Sequence, residues 1–152
     1  MVEHDYKNFP ELTDKQIEEF GFTSPHKQIT EDFFATVVKV HDGDTITVST
    51  DFRDFEFPIR FLGIDAPELN TGEPGRRARD FVKDRILKQT VEIKMDKYNR
   101  VGKYGRLLGR VFHMGSDVGE DELRLALAWP FDRRREGELP DMNKELMIEK
   151  WL

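Results

Sequence analysis

Arg60-Phe61-Leu62-Gly63-Ile64-Asp65-Ala66-Pro67-Glu68 places one guanidinium and two carboxylates within nine residues. The run begins as a largely apolar strand and stops at Asp65-Ala66-Pro67-Glu68, where a proline fixes the backbone between two acids. An arginine and two acids leaving one strand end serve packing poorly, but together they suit a phosphate and a cation. A guanidinium forks onto phosphate oxygens and keeps its charge at any working pH. Asp44, at the end of the turn His41-Asp42-Gly43-Asp44, is the second candidate carboxylate for a cation. Taken alone, Asp-Gly is ordinary hairpin chemistry. If Asp44 and Asp65 converge, two carboxylates with a backbone carbonyl and waters suit a hard ion such as calcium better than zinc or copper. Arg106, after Lys103-Tyr104-Gly105, is a second guanidinium. It can share with Arg60 the charge that grows on a five-coordinate phosphate. Glu68 can take a proton from water or hold that water in line, and the residues leave both roles open. A solvated glutamate is a weak base at neutral pH, so a metal must supply much of the activation.

These residues need a scaffold, and the composition allows one. A chain of 152 residues is long enough for one domain with a real core and too short for two comfortable ones. There are no cysteines, which excludes disulfides and thiolate metal sites. His4, His26, His41 and His113 are scattered without ligand spacing, so a zinc site is not expected. No apolar run approaches the ~20 residues of a membrane span, so no membrane partner is expected. The first ten residues are polar and acidic and do not read as a secretory leader. The expected location is cytoplasmic, or secreted if a leader was removed.

The net charge of −6 argues against a nucleic-acid partner until its distribution is read. Residues 1–33 hold eight acids against three lysines, leaving 34–152 near neutral with 22 acids and 21 bases. Between Arg76 and Arg110 there are twelve bases and four acids. Such a field attracts a polyanion over a Debye length, roughly 8–10 Å in ordinary salt. For Arg76 to Lys88 by itself, a solvated helix face is the simpler reading.

Residues 1–32 are expected to form an acidic N-terminal extension, partly helical or flexible, ahead of a domain over 33–152. Thr13 and Gln16 form a candidate capping box for a short helix ended by Gly21, and Ser24-Pro25 then breaks the chain. Alternation predicts strands over 33–40, 45–49 and 55–64, joined at a turn where Gly43 is free to take positive φ and at Arg53-Asp54. Ala78, Phe81, Val82, Ile86 and Leu87 recur at helical spacing between Pro74 and Lys88. Strands over 90–95 and 107–113 follow. A short helix is expected over Leu123 to Ala128, with Glu120-Asp121-Glu122 ahead of it, and a last one over Asp141 to Trp151. Five short strands with a helix after the third predict an α+β, mainly β fold. It is a five-stranded OB-fold-like barrel with about three helices and the N-terminal extension.

Val40-His41-Asp42-Gly43-Asp44-Thr45, the run Arg60 to Glu68, and Lys103-Tyr104-Gly105-Arg106-Leu107-Leu108 together resemble three motifs of the staphylococcal nuclease (thermonuclease) family. The resemblance covers about Phe33 to Phe131. It implies an OB-like barrel and a calcium-dependent nuclease that cuts DNA and RNA to 3′-phosphate and 5′-hydroxyl ends. It implies one calcium ion held by Asp44, Asp65 and the carbonyl of Ala66, with magnesium or manganese as substitutes. Arg60, Glu68 and Arg106 match the catalytic set, and Lys103 and Tyr104 match positions near the substrate phosphate. The expected partners are single- or double-stranded DNA and RNA, met by a monomer. Four departures stand out: Leu69 to Pro74 is short and lacks lysine, residues 1–33 have no counterpart in the core family, the final helix is abbreviated, and Trp129 and Phe131 stand where tyrosines are frequent. Stacking on a base and packing in the core are both open to those two aromatics.

The alternative function is a non-catalytic nucleic-acid-binding or adaptor module on the same barrel. Adaptor versions tend to lose the arginine and glutamate set, which is complete here. A third reading has the acidic extension lying over the basic stretch 76–110 and restraining the nuclease.

Overall fold

The computed structural model describes residues 10–13, 16, 26–102 and 106–131. The helix expected over 141–151, most of the expected N-terminal helix, and Lys103 and Tyr104 lie outside them. The first strands are β1 (Phe33–Asp42), β2 (Thr45–Thr50) and β3 (Arg53–Phe61), followed by a two-residue β4 (Ile64–Asp65). A 3-10 turn (Leu69–Thr71) leads into α1 (Glu73–Ile86), then β5 (Thr90–Lys94) and β6 (Leu107–His113). The order ends with β7 (Ser116–Asp117), α2 (Val118–Arg124) and β8 (Trp129–Pro130).

The sheet runs β3-β2-β1-β5-β6-β7, and a parallel pairing of β3 with β6 closes five strands into the expected barrel. The closing register sets Ile59 opposite Leu107, Arg60 opposite Leu108 and Phe61 opposite Gly109. Alternation along the strands fills the interior with Val37, Ile46, Val48, Phe57, Ile59, Ile93 and Val111, all essentially inaccessible. Helix α1 covers one mouth of the barrel with Gly75, Ala78, Val82 and Ile86, one face at helical spacing. Its Arg76, Arg77 and Lys83 are exposed, which fits a solvated basic face. Among the described residues no helix is long and apolar enough to cross a membrane.

Several boundaries differ from the sequence expectation. The described residues hold two α-helices, where about three were expected for the whole chain. The third strand stops at Phe61, because Gly63 turns the chain at φ +86° and starts β4 in another sheet. Helix α2 begins five residues before the expected Leu123. Asp117 is its N-cap, accepting a hydrogen bond from the Glu120 amide, so the acidic run lies inside the helix. Ala126 at φ +58° then ends it. The Thr13–Gln16 capping box is present: Gln16 N–H donates to Thr13 Oγ1 at 3.2 Å, and Thr13 N–H donates to Gln16 Oε1 at 2.9 Å.

Two glycines set how closely α1 approaches the strand ends. Gly43 does not use positive φ; it is needed for space. A Cβ there would lie 2.7 Å from the Cβ atoms of both Ala66 and Ala78. A Cβ on Gly75 would lie 2.1 Å from the backbone oxygen of Glu68, which cannot swing away as a side chain can. Gly75→Ala is therefore expected to cost about 2 kcal/mol by overpacking, or about 5 °C in Tm at this chain length. Gly102→Ala, whose Cβ would meet the flexible end of Leu108 at 3.4 Å and the Arg106 carbonyl oxygen at 3.6 Å, both without a clash, should leave Tm nearly unchanged. Thermal melts of the two variants check this.

Candidate functional site

Pairing of β2 with β3 sets Thr45 opposite Arg60, so Asp44 and Arg60 share one rim of the barrel. The Phe61 amide donates to the Asp44 carbonyl at 2.8 Å, which fixes the end of that pairing. Past the Gly63 turn, Asp65 returns to the same rim, held in β4 against Trp129 of β8. The Arg60 guanidinium spans the gap. Its Nη1 donates to the carbonyls of Phe61 and Ile64 at 2.8 and 2.9 Å, closing the turn. Its Nη2 lies 3.3 Å from Asp44 Oδ2 and 3.2 Å from Asp65 Oδ1. Asp44 Oδ2 also accepts from the Ala66 amide at 2.8 Å, and Oδ1 accepts from the Thr45 hydroxyl at 3.1 Å. Both aspartates are nearly fully buried.

The structure thus brings Asp44, Asp65, Ala66 and Arg60 into direct or adjoining contact. Glu68 follows Pro67 on the same outgoing segment and is exposed, with its carbonyl tied to the Thr71 amide and hydroxyl. Arg106, half-buried, immediately precedes β6. Strand spacing puts its backbone about 8 Å from that of Arg60, whose partner Leu108 is two residues on. The two aromatics separate: Trp129 is buried and packs, whereas Phe131 is 54% exposed with Arg60 Cζ 6.0 Å from its ring centre. Phe131 therefore keeps a face that can meet a base.

Two further acids stand behind Asp44. Asp42 accepts from the Asp44 amide at 3.0 Å, yet its carboxyl is pushed up to about 7, by burial first and then by the Asp44 charge. Glu122 is fully buried, and both its oxygens lack a hydrogen-bond partner. A Cβ on Gly43 would lie 2.8 Å from Glu122 Oε1, which places that carboxyl against the Asp42–Asp44 turn. Burial raises Glu122 to about 10, with repulsion from Asp44 and Asp42 adding to it. Nothing in the sequence singled out Glu122, because it reads as one of three solvent-facing acids. Its only signal is that Val118, Asp121 and Glu122 share one helical face.

Asp44 and Asp65, which meet at Arg60, and the Ala66 backbone beside them make a set of oxygen donors only. That donor set fits a hard divalent cation held by Asp44, Asp65 and the Ala66 carbonyl. Among the described residues no group of three or more His, Cys, Asp or Glu side chains is arranged to hold a metal by itself. Such an ion would complete its shell with backbone oxygen and water.

A carboxyl that holds its proton longer in the folded chain contributes stability that is complete below its ordinary pKa and is lost as pH rises. For Asp42 that loss runs from 3.8 to about 7, and for Glu122 from 4.5 to about 10. Glu122→Gln removes the larger window. In chelator, wild-type stability is expected to fall between about pH 5 and 9, by up to about 1.4 kcal/mol per pH unit from this one group, and Tm falls with it. The variant's Tm should fall less, so that its advantage widens with pH. Parallel slopes for the two proteins would contradict the placement of Glu122.

A family model described as staphylococcal nuclease homologue matches residues 58–147, more than half of the chain. The chain is 36% identical over 92 residues to a protein named thermonuclease from Staphylococcus hyicus, covering 57% of this chain and 52% of that one. It is 38% identical over 81 residues to a micrococcal nuclease of Shigella flexneri, covering 53% and 43%. Over 98 residues it is 32% identical to the endonuclease YncB of Bacillus subtilis, covering 61% and 46%. The chain spans about half the length of these curated relatives. With that match and the barrel closed as expected, the chain belongs to the staphylococcal nuclease family.

Proposed function

We propose that this chain is a calcium-dependent phosphodiesterase that cleaves DNA and RNA with little sequence preference, leaving 3′-phosphate and 5′-hydroxyl ends. The observation that carries this reading is the Arg60 guanidinium lodged between Asp44 and Asp65 at one rim of the barrel, with Glu68 exposed three residues past Asp65 in the chain. The names of the three relatives above, each a nuclease, support its nuclease part.

Asp44, Asp65 and the Ala66 carbonyl would hold the ion. When present, the ion supplies positive charge against the scissile phosphate and makes water there more acidic. Glu68 orients a water opposite the 5′-oxygen and accepts its proton as the water oxygen bonds to phosphorus. Arg60 and Arg106 donate to the equatorial oxygens, where charge grows in the five-coordinate state. The bond from phosphorus to the 5′-oxygen then breaks, and that oxygen takes a proton to leave as the 5′-hydroxyl. Lys103 and Tyr104, three and two residues before Arg106 in sequence, would meet the neighbouring phosphate. Broad substrate tolerance follows from contacts that favour backbone charge and base faces over base edges.

Plasmid DNA and single-stranded RNA should be degraded with calcium present and spared in chelator. Glu68→Gln should lower kcat by about 10²–10⁴ and Arg106→Ala by about 10²–10³. Affinity for a nucleic acid should change far less in both, because the lost contacts belong to the transition state. A folded wild type that binds nucleic acid but cuts none with any divalent cation would instead indicate a binding module.

A further inference from the structure

Glu11 lies far from the rim in sequence, yet it is 1% exposed and makes three polar contacts. Its Oε1 accepts from Arg53 Nη2 at 2.5 Å, and its Oε2 accepts from Arg100 Nη1 at 3.1 Å and from the Ile29 amide at 3.1 Å. Arg100, itself 6% exposed, also donates to the carbonyls of Ile29 at 2.7 Å and Leu12 at 2.6 Å. Arg53 has other support, from the Lys27 carbonyl at 2.8 Å and from the rings of Phe55 and Phe57 at 5.0 and 4.6 Å.

The Arg100 backbone continues toward the site. Its carbonyl accepts from the Leu108 amide at 2.9 Å, Val101 forms an antiparallel bridge with Leu107, and the Gly102 amide donates to the Arg106 carbonyl at 2.8 Å. Residues 100–102 and 106–108 are therefore two sides of one short ladder. Arg106 sits at the end of the ladder that the chain joins through 103–105, outside β6, so its backbone takes its position from this ladder. One side of the ladder leans on a single buried fork: Arg100 on Glu11, with the Leu12 and Ile29 carbonyls around it. A buried ion cluster is a poor way to gain stability alone. A forked guanidinium does, however, fix direction as well as distance.

We propose that Glu11 is a positioning residue for the reaction: through Arg100 it orients the ladder that presents Arg106 to the phosphate. This rests on the reading that Arg106 acts on the scissile phosphate. It gives the segment before the barrel a role opposite to restraint. Glu11 engages Arg53 and, within the basic stretch 76–110, Arg100, whereas Arg76, Arg77 and Lys83 of α1 stay exposed.

The test uses full-length wild type, Glu11→Gln, Arg106→Ala and the double variant, assayed with calcium at a temperature where circular dichroism shows each folded. Glu11→Gln should lower kcat by about ten- to a hundredfold, as a misplaced catalytic group does, with KM moved less than about threefold. In the Arg106→Ala background it should cause no further loss, because both changes act through one group. Amide hydrogen exchange at Gly102 and Leu108 should quicken in Glu11→Gln. If that variant does not fold, Arg100→Lys, which keeps the charge and loses the fork, is held to the same readouts. An active wild type with an unchanged kcat in the folded variant would overturn the proposal, as would losses that multiply with Arg106→Ala. If wild type cuts nothing, the nuclease reading fails by itself. The ladder claim is then decided by exchange alone, and unchanged protection of Gly102 and Leu108 overturns it.

Discussion

One guanidinium between two carboxylates holds the rim together. Arg60 closes the Gly63 turn through two backbone carbonyls and meets Asp44 and Asp65 with its other nitrogen. Without that fork, two aspartates would face each other across a turn without the guanidinium they share, and burial would make their repulsion costly. The same geometry suits chemistry. On the proposed reading, a cation held by these carboxylates would compete with Arg60 for them and leave the guanidinium to a phosphate.

The scaffold keeps this arrangement tight by close approach. Gly43 lets the first turn press against Ala66 and Ala78, and Gly75 lets α1 reach the Glu68 carbonyl. Helix α2 brings Glu122 underneath, and Arg85 of α1 pairs with Asp121 to tie the two helices. The cost is visible in the titration of the site. Asp42 and Glu122 hold protons well above the usual carboxylate range, because burial and like charge outweigh the single Arg60.

Much of this was legible in the residues. Period-two alternation marked the barrel strands, and the Asp-Gly-Asp turn and the Arg60–Glu68 run marked the rim, because turn chemistry and a charged strand end are local signals. Other features were not local. Val118 to Arg124 became a helix through the Asp117 cap, while the acidic run pointed to a start at Leu123. Glu122 reads as a surface acid until tertiary packing buries it. Glu11 finds its partners 42 and 89 residues along the chain, a distance at which no spacing pattern carries information. Gly43 was read for its conformational freedom, and the structure uses it for its missing side chain.

The central claim is that Asp44 and Asp65 form an oxygen site for one divalent ion at the Arg60 rim. Calorimetric titration of calcium into the folded chain, repeated with Asp65→Asn, addresses it directly. The account predicts saturable binding of one ion to the wild type, and its loss or marked weakening in the variant. Wild-type protein that takes up no calcium, or an Asp65→Asn variant that binds it equally well, would contradict it.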